Sequence, residues 1–276
     1  MPRRWSVSLA ALALSAASVT LAAASTASAT TASNSPSAVA HAIPAGLSPG
    51  GLVHLSSPGA RALATHGARN ATVTSTNWSG YAAASGTFTS VSASWTQPTG
   101  SCTSSNQYAA FWVGLDGYNS SSVEQTGTLL ECSGRTALYT SWYEMYPANP
   151  VYFSNTVSPG DHFTASVTYQ GSNSFSLHLA DTTKGWSHTV TSSLAGAARS
   201  SAEVIVEAPC CTSSGAPLPL ANFHTASFTG STANGTAIGS HSPNEIIMVN
   251  NSGADKDTIS SLSSGENFSA TWVRAN

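Results

Sequence analysis

Two glutamates lie close together in a short apolar stretch, Ser201–Pro209, and could carry acid–base chemistry. In a β-strand successive side chains point to opposite faces, so Glu203, Ile205 and Glu207 would share one face. Carboxylates on such a face can act as general acids or bases when other residues serve as their partners. The same pattern also fits a half-buried strand whose outer face carries two solvated acids. The rest of the chain must therefore supply the partners.

The chain from Thr74 onward is typical of an all-β protein. Short β-branched and aromatic runs alternate with Gly, Ser, Asn and Pro, and none keeps a convincing helical period. These runs are Phe88–Trp95, Tyr108–Leu115, Leu138–Tyr146, His162–Tyr169, Ser174–Leu179, Glu203–Glu207, Phe223–Phe228, Glu245–Val249 and Phe268–Val273. Strands at this spacing predict a single β-sandwich or jelly-roll domain over residues 74–276.

Several of these predicted strands mix aromatic residues with isolated acids on one face. Trp112 shares a face with Asp116, and Trp142 shares a face with Glu144 and Tyr146. Aromatic rings provide contact area and carboxylates provide polarity, which suits a concave groove that holds a polymer. The aromatic residues could instead only cover a curved sheet. Because three strands show the same mixture, the sequence favours the groove.

The N-terminus has the features of a secretory signal peptide. Arg3 and Arg4 precede an apolar run over residues 7–24, and an Ala-Ser-Ala sequence that fits a cleavage site ends at Ala29. We therefore expect residues 1–29 to direct secretion to the extracellular space. No other long apolar run follows, and a membrane span needs about 20 apolar residues. No membrane association is expected after removal of the signal.

Residues 30–73 are predicted to form a linker or a pro-segment. They are rich in Ala, Ser, Pro, Gly and Thr, have no aromatic or acidic residue, and cannot bury much surface. They contain Arg61, Arg69 and three histidines, whereas residues 74–276 contain twelve acidic and five basic residues, a net charge of −7. An acidic, charge-poor domain argues against a nucleic-acid partner. It also has few ion pairs to lose in acid, so resistance to acid unfolding is expected.

Four cysteines are present, and an exported chain is expected to pair them in disulfides. The preferred pairs are Cys102–Cys132, which would join the approach to one strand to the end of the next, and Cys210–Cys211. The other two pairings remain open. The chain contains no Cys-x-x-Cys, His-Glu-x-x-His or phosphate-loop pattern, and its histidines show no ligand spacing. Neither a metal nor a cofactor is expected.

Taken together, the segments of this domain resemble the glutamic peptidases, the eqolisin family of secreted acid proteases. The matching segments, in order, are Asn77–Tyr81, Val91–Trp95, Phe111–Gly117, Gln125–Gly127, Ser141–Pro147 and Ala202–Glu207, with further similarity in Leu218–Ser227 and Ile246–Val249. The resemblance covers most of residues 74–276. It implies a concanavalin-like sandwich of two antiparallel sheets with a concave cleft, and hydrolysis of polypeptide substrates.

The resemblance also implies a catalytic pair formed by one glutamine and one glutamate. Gln125 falls on the glutamine of the family and Glu207 on the glutamate, while Glu203 matches a further acid of the family. The cleft-lining positions of the family match Trp112, Asp116, Glu144 and Tyr146. Without the resemblance, Gln125 in Gln-Thr-Gly would be interpreted as a polar loop residue beside a turn.

This pair suggests a definite reaction. Glu207 would take a proton from water as the water attacks a peptide carbonyl, and would then return the proton to the leaving amine. A glutamate with an ordinary pKa of about 4.3 does this best at acid pH. The amide of Gln125 can donate a hydrogen bond to the developing oxyanion at any pH. The sequence therefore predicts a secreted, monomeric endopeptidase that acts at acid pH.

Two other functions remain open from the sequence. Glu203 and Glu207 could form the carboxylate pair of a jelly-roll glycoside hydrolase, although four residues along a strand span about 13 Å, too far for a close retaining pair. A non-catalytic carbohydrate-binding sandwich would need the aromatic residues but neither Gln125 nor Glu207. For the peptidase, residues 30–73 would dock on the acidic domain by charge at neutral pH and loosen as the cleft carboxylates protonate.

Overall fold

A computed structural model describes residues 70–210 and 216–276 of the protein. The predicted signal peptide and the linker or pro-segment up to residue 69 lie outside the described residues, as does Cys211. Within the described ranges, no helix has both the length and the apolar character that a membrane crossing requires.

β-strands provide nearly all the regular structure of the described chain. The strands are β1 (Thr72–Ser75), β2 (Trp78–Ala83), β3 (Ser90–Thr96), β4 (Tyr108–Leu115), β5 (Val123–Ser133), β6 (Thr136–Tyr146), β7 (Val151–Phe153), β8 (His162–Gly171), β9 (Ser174–Asp181), β10 (Trp186–Ser193), β11 (Ala202–Glu207), β12 (Thr225–Ala233), β13 (Thr236–Ala237), β14 (Asn244–Met248), β15 (Asp257–Ile259) and β16 (Phe268–Trp272). A short 3₁₀ helix covers Ile238–His241.

The strands form two sheets. The first, called the cleft sheet below, has the order β1-β14-β2-β11-β4-β5-β6-β7. The second has the order β10-β9-β8-β3-β12-β16-β15, with β13 paired to β12. Neighbouring strands are antiparallel except for the parallel pair of β1 and β14. The predicted all-β sandwich of antiparallel sheets is confirmed.

Alternation along each strand divides the side chains between two apolar clusters. Val204 and Val206 pack in the larger cluster, to which strands of both sheets contribute, such as Phe111 of β4 and Phe228 of β12. Ile205 packs in the smaller cluster, whose strand residues all come from the cleft sheet. The smaller cluster is strongly aromatic, with Trp78, Tyr108, Trp112, Trp142 and Tyr152. One face of the cleft sheet therefore packs in the larger cluster between the sheets, and the opposite face carries the smaller aromatic cluster.

Strand β5 was not predicted, and it corrects the interpretation of Gln125 as a loop residue. Gln125 lies inside this strand of 11 residues and is fully buried. The neighbouring Gly127 suggested a turn, but its role is a close approach of two strands. A Cβ atom at Gly127 would lie 2.1 Å from the carbonyl oxygen of Phe111 in β4. The glycine is needed because the backbone of the neighbouring strand β4 lies too close to leave room for a side chain.

The disulfide Cys102–Cys132 is confirmed, with a Cα–Cα distance of 5.5 Å. It joins the segment before β4 to the end of β5, two paired strands of the cleft sheet. The second pair, Cys210–Cys211, stays a prediction because Cys211 lies outside the described residues.

Candidate active site

Glu207 is the last residue of β11, which lies between β2 and β4 in the cleft sheet. Its side chain is fully buried. The indole Nε1 of Trp112 donates a hydrogen bond to Oε2 of Glu207 at 2.9 Å, and Nδ2 of Asn77 donates to Oε1 at 3.4 Å. Hydrogen bonds to a carboxylate favour its ionised form. The site therefore holds a buried carboxylate with a protein donor on each oxygen.

Trp112 is fixed by its own contacts. Its ring packs edge-on against the ring of Trp78, with centroids 4.8 Å apart and an interplanar angle of 76°. Gly114 makes room beside it, because a Cβ atom at this glycine would lie 2.8 Å from Cζ3 of Trp112. Such packing holds the indole N–H in place for Glu207.

Gln125 is held against Glu144 on the neighbouring strand β6. The two residues are register partners, and Nε2 of Gln125 donates a hydrogen bond to Oε2 of Glu144 at 2.6 Å. Both side chains have no solvent-exposed surface. The orientation of the Gln125 amide is thus set by the carboxyl group of Glu144.

Glu144 connects Gln125 to Glu207. Burial raises the pKa of Glu144 well above its ordinary value, and the charge of Glu207 raises this pKa further. Glu144 is therefore close enough to Glu207 to interact with it while it accepts the hydrogen bond of Gln125. Because its pKa is raised, Glu144 is protonated in the acid range, so it adds no second negative charge beside Glu207.

The predicted aromatic face of β6 is present. Trp142 packs in the aromatic cluster of the cleft sheet, and Tyr146 packs against that cluster while partly exposed. Burial, and next the charge of Glu144, raises the pKa of the Tyr146 phenol. Tyr146 therefore lies beside Glu144 at the accessible margin of this face.

Asp116 and Glu203 lie toward the opposite end of β11 from Glu207. The carboxylate of Asp116 accepts hydrogen bonds from the backbone N–H groups of Arg199 at 2.7 Å and Ser200 at 2.8 Å. Asp116 thus anchors the segment that leads into β11. Glu203 is fully buried; burial raises its pKa well above the ordinary value, and the charges of Asp116 and Glu124 act in the same direction.

Trp112 therefore contacts Glu207, Gln125 contacts Glu144, and the charge of Glu207 acts on Glu144. Asp116 and Glu203 lie toward the other end of β11, where the register places Glu203 in line with Gln125 through Gly114. Asn77 was missed as a contact of Glu207. It belongs to a segment that resembles the family, but an asparagine before a tryptophan gives no chemical signal by itself. Only the register of β2 against β11, which pairs Trp78 with Glu207, brings it to the site. In the part of the chain that the structure describes, no group of three or more His, Cys, Asp or Glu could hold a metal ion.

Comparisons with known proteins identify the family. Residues 76–272 match the model of the peptidase A4 family. No curated protein sequence matches the chain. The fold is similar to scytalido-glutamic peptidase with a transition state analog inhibitor, at 28% identity and a TM-score of 0.63 over 72% of this chain and 98% of that chain. It is also similar to SCP-B, an eqolisin in complex with the tripeptide Ala-Ile-His, at 27% identity and a TM-score of 0.59 over 72% and 98% of the two chains.

A third similar structure is aspergilloglutamic peptidase from Aspergillus niger, at 27% identity and a TM-score of 0.53 over 60% of this chain and 99% of that chain. The family match spans most of the described domain, and the similar structures are covered almost completely. The chain belongs to the peptidase A4 family, the glutamic peptidases, and is a peptide hydrolase.

Proposed function

We propose that the protein is a secreted endopeptidase that cleaves polypeptides at acid pH, with Glu207 as general base and Gln125 as oxyanion donor. One observation carries the assignment of the pair. Glu144 accepts the hydrogen bond of Gln125 at 2.6 Å, and the charge of Glu207 raises the pKa of the same Glu144 carboxyl. Gln125 of β5 thus contacts a buried carboxyl group that also lies within the electrostatic influence of Glu207 of β11.

In the proposed reaction, the carboxylate of Glu207 removes a proton from water, and the water oxygen forms a bond to the carbonyl carbon of the peptide. The carbonyl oxygen becomes an oxyanion that accepts a hydrogen bond from the Gln125 amide. Glu207 then gives the proton to the leaving nitrogen as the C–N bond breaks. Trp112 supports the ionised form of Glu207 through its hydrogen bond at 2.9 Å.

Glu144 has a supporting role in this reaction. As a protonated acid it can hold the amide of Gln125 without placing a negative charge near the oxyanion. At higher pH it would ionise and oppose the build-up of charge. A raised pKa keeps Glu144 neutral in the acid range, so it can hold Gln125 there without opposing a general base at Glu207, which supports activity at acid pH.

One assay separates this function from the two alternatives. The purified protein is incubated with denatured protein and with polysaccharides from about pH 2 to about pH 7, around the ordinary glutamate pKa, with a pepsin-type inhibitor present. We expect proteolysis at acid pH that is insensitive to the inhibitor. Depolymerisation of a polysaccharide without proteolysis would support a glycoside hydrolase. Binding of polysaccharide without cleavage of either substrate would support a carbohydrate-binding module.

Replacing Gln125 with Ala is expected to reduce kcat by about 10²–10³, because one oxyanion donor is lost. The measurement is steady-state cleavage of a peptide at acid pH, with circular dichroism to check the fold. Gln170→Ala, at an exposed position of β8, is the matched control and should keep normal activity. Activity of Gln125→Ala close to that of Gln170→Ala would remove Gln125 from the mechanism.

We also propose that the pro-segment predicted over residues 30–73 docks on the acidic domain before activation, through the part that precedes the described residues, 30–69. Gln125, Glu144 and Glu207 have no exposed surface, so the site must open before a substrate can reach them. Residues 30–69 carry Arg61, Arg69 and three histidines but no acid, which complements an acidic domain. Protonation of the cleft carboxylates would weaken this attraction.

A peptide of residues 30–69, added to the activated enzyme, tests the pro-segment proposal. We expect it to bind and inhibit near neutral pH, to lose affinity as salt screens the charges, and to bind much more weakly at about pH 3, below the ordinary glutamate pKa. Equal activity at low pH with and without the segment, together with no binding of the peptide at neutral pH, would count against the proposal. Secretion and a monomeric state stay predictions.

A further inference from the structure

We infer that Ser75 and Asn77 position the carboxylate of Glu207, and that strand β1 is therefore part of the active enzyme. The inference rests on the role proposed for Glu207. Nothing in the sequence pattern points to Ser75, which ends a short strand at the edge of the cleft sheet. Its importance follows from a chain of contacts that leads to the carboxylate.

The first contact is between Asn77 and the end of β11. Nδ2 of Asn77 donates to Oε1 of Glu207 at 3.4 Å, while Trp112 donates to Oε2 from the other flanking strand. The backbone N–H of Ala208 also donates to the carbonyl oxygen of Asn77 at 2.8 Å. Asn77 therefore binds both the side chain of Glu207 and the backbone of the next residue, so it fixes where the carboxylate lies.

The second contact sets which end of the Asn77 amide faces Glu207. Oγ of Ser75 donates a hydrogen bond to Oδ1 of Asn77 at 3.0 Å. Oδ1 can only accept hydrogen bonds, so this contact leaves Nδ2 directed toward Glu207. A reversed amide would place Oδ1 against the carboxylate and repel it. Ser75 thus selects the favourable orientation of Asn77.

Ser75 is itself held by the backbone that follows it. Its Oγ accepts hydrogen bonds from the N–H groups of Asn77 at 3.3 Å and Trp78 at 3.1 Å. Ser75 and Asn77 are both buried. These bonds shape the connection between β1 and β2, which brings Asn77 to the start of β2 beside Glu207. One hydroxyl group therefore orders both the turn and the amide.

Strand β1 places Ser75 at this turn. Residues 72–75 pair in parallel with Glu245–Met248 of β14, and Val73 packs in the aromatic cluster of the cleft sheet. Removal of these residues would delete Ser75 or the pairing that holds it. Any cleavage that activates the enzyme must then occur before Thr72. A boundary at Thr74, expected from composition alone, would cut β1.

The charged groups around Glu207 determine how the hydrogen bond from Asn77 affects its ionisation. Glu144 on β6 is the acid whose pKa responds to Glu207, and Glu203 lies further along β11, near Asp116 and Glu124. Flanking β11 at the level of Glu207, β2 and β4 present the uncharged residues Trp78 and Ala110. The hydrogen bond from the Asn77 amide therefore stabilises the ionised form of Glu207, whereas the nearby acids disfavour it. Loss of this hydrogen bond should raise the pH above which Glu207 is ionised and the enzyme is active.

The test is the pH dependence of kcat/KM for Asn77→Leu, Asn77→Asp and Ser75→Ala, made in the full chain and activated at acid pH. A hydrogen bond to a charged group is lost, so Asn77→Leu should reduce kcat at least about tenfold. The acid limb of its profile, the pH range over which kcat/KM rises as Glu207 ionises, should move up by about one pH unit. Asn77→Asp should move the limb at least as far, because a carboxylate replaces the donor. Ser75→Ala should give a smaller change in the same direction, and Ser75→Thr should restore the wild-type profile.

Thr74→Ala in the same strand is the matched control and should leave the limb unchanged. Variants of Ser75 and Asn77 that lower only the thermal stability, with the wild-type limb, would overturn the inference, because both roles would then be structural. Sequencing of the mature N-terminus gives a second readout. We expect it at or before Thr72, and a mature, active enzyme that begins at or after Thr76 would also overturn the inference.

Glu207→Gln, measured beside these variants, separates the inference from the proposed function. If Glu207→Gln stays active, the proposed base is wrong and the inference falls with it. If Glu207→Gln is inactive while the limbs of the Ser75 and Asn77 variants do not move, only the positioning role is overturned.

Discussion

Replacing Glu207 with Gln is expected to reduce kcat/KM for peptide cleavage by at least about 10³, within the range attributed to general acid–base groups. A glutamine of nearly the same shape cannot accept the proton of the attacking water. Its side-chain oxygen can still accept the hydrogen bond that Trp112 donates at 2.9 Å, and only the longer contact with Nδ2 of Asn77 at 3.4 Å is lost, so the packing of the strand should survive. The thermal unfolding temperature should therefore change little, and the loss should appear in turnover.

The matched control for this variant is Glu266→Gln, a carboxylate in the turn before β16 of the second sheet. It removes the same charge without touching the site and should keep wild-type turnover. Comparable losses in Glu203→Gln and Glu207→Gln would instead indicate a pair of catalytic carboxylates. Wild-type activity of Glu207→Gln would exclude the proposed mechanism.

The face on which Glu207 lies could be predicted because a strand has a period of two. The same rule placed Glu144 on one face with Trp142 and Tyr146, and in the structure Trp142 packs in the aromatic cluster while Tyr146 packs against it. Alternation is a local property, so it can be read from neighbouring residues. It specifies which side of a sheet a residue occupies, but not which residue of another strand it meets.

The contacts of the site could not be predicted because they depend on the register in which strands pair. Gln125 and Glu144 meet only because β5 and β6 pair in one register out of several. Asp116 does not follow the two-residue alternation of side chains that predicted it to share a face with Trp112. Its φ of 69° lies in the left-handed region, so the chain turns at the end of β4 and its carboxylate binds the backbone of residues 199 and 200.

Low charge in the sequence correctly pointed to few ion pairs. Within the described residues, Lys184 and Asp161 form the single salt bridge, with Nζ 2.6 Å from Oδ2. Acidification can therefore break few salt bridges among the described residues. Composition could not show that several carboxyl groups are buried without a salt bridge to the described residues, among them Glu124. These groups determine how stability depends on pH.

The free energy of unfolding is expected to fall as the pH rises from about 4.5 toward 8. Burial, and next the charge of Asp116, raises the pKa of Glu124 from 4.5 to about 8, and burial raises that of Asp257 from 3.8 to about 7. Between its ordinary and its raised pKa, each group stays protonated in the folded state and ionises in the unfolded state. The unfolded state then binds fewer protons, so stability decreases as the pH increases. Glu124 alone would account for a loss of about 3 kcal/mol by neutral pH.

Lys256 does not offset this trend in the same range. Burial lowers its pKa to about 8, so below that pH it is charged in both the folded and the unfolded state. The decrease should therefore be visible as a lower unfolding temperature at about pH 7 than at about pH 4. A domain of this size changes by about 2–4 °C per kcal/mol, so a difference on the order of 10 °C is expected from these carboxyl groups together.

Glu124→Gln identifies the cause of this decrease. Glutamine resembles the protonated acid and does not ionise, so the variant should lose several degrees less between acid and neutral pH than the wild type. Glu266→Gln should keep the full decrease, because its carboxylate lies outside the buried group. An unfolding temperature that is level or rises toward neutral pH would contradict the assignment. A Glu124→Gln variant whose unfolding temperature depends on pH as steeply as that of the wild type would also contradict it. In that case the ionisation of Glu124 would not be the cause of the decrease.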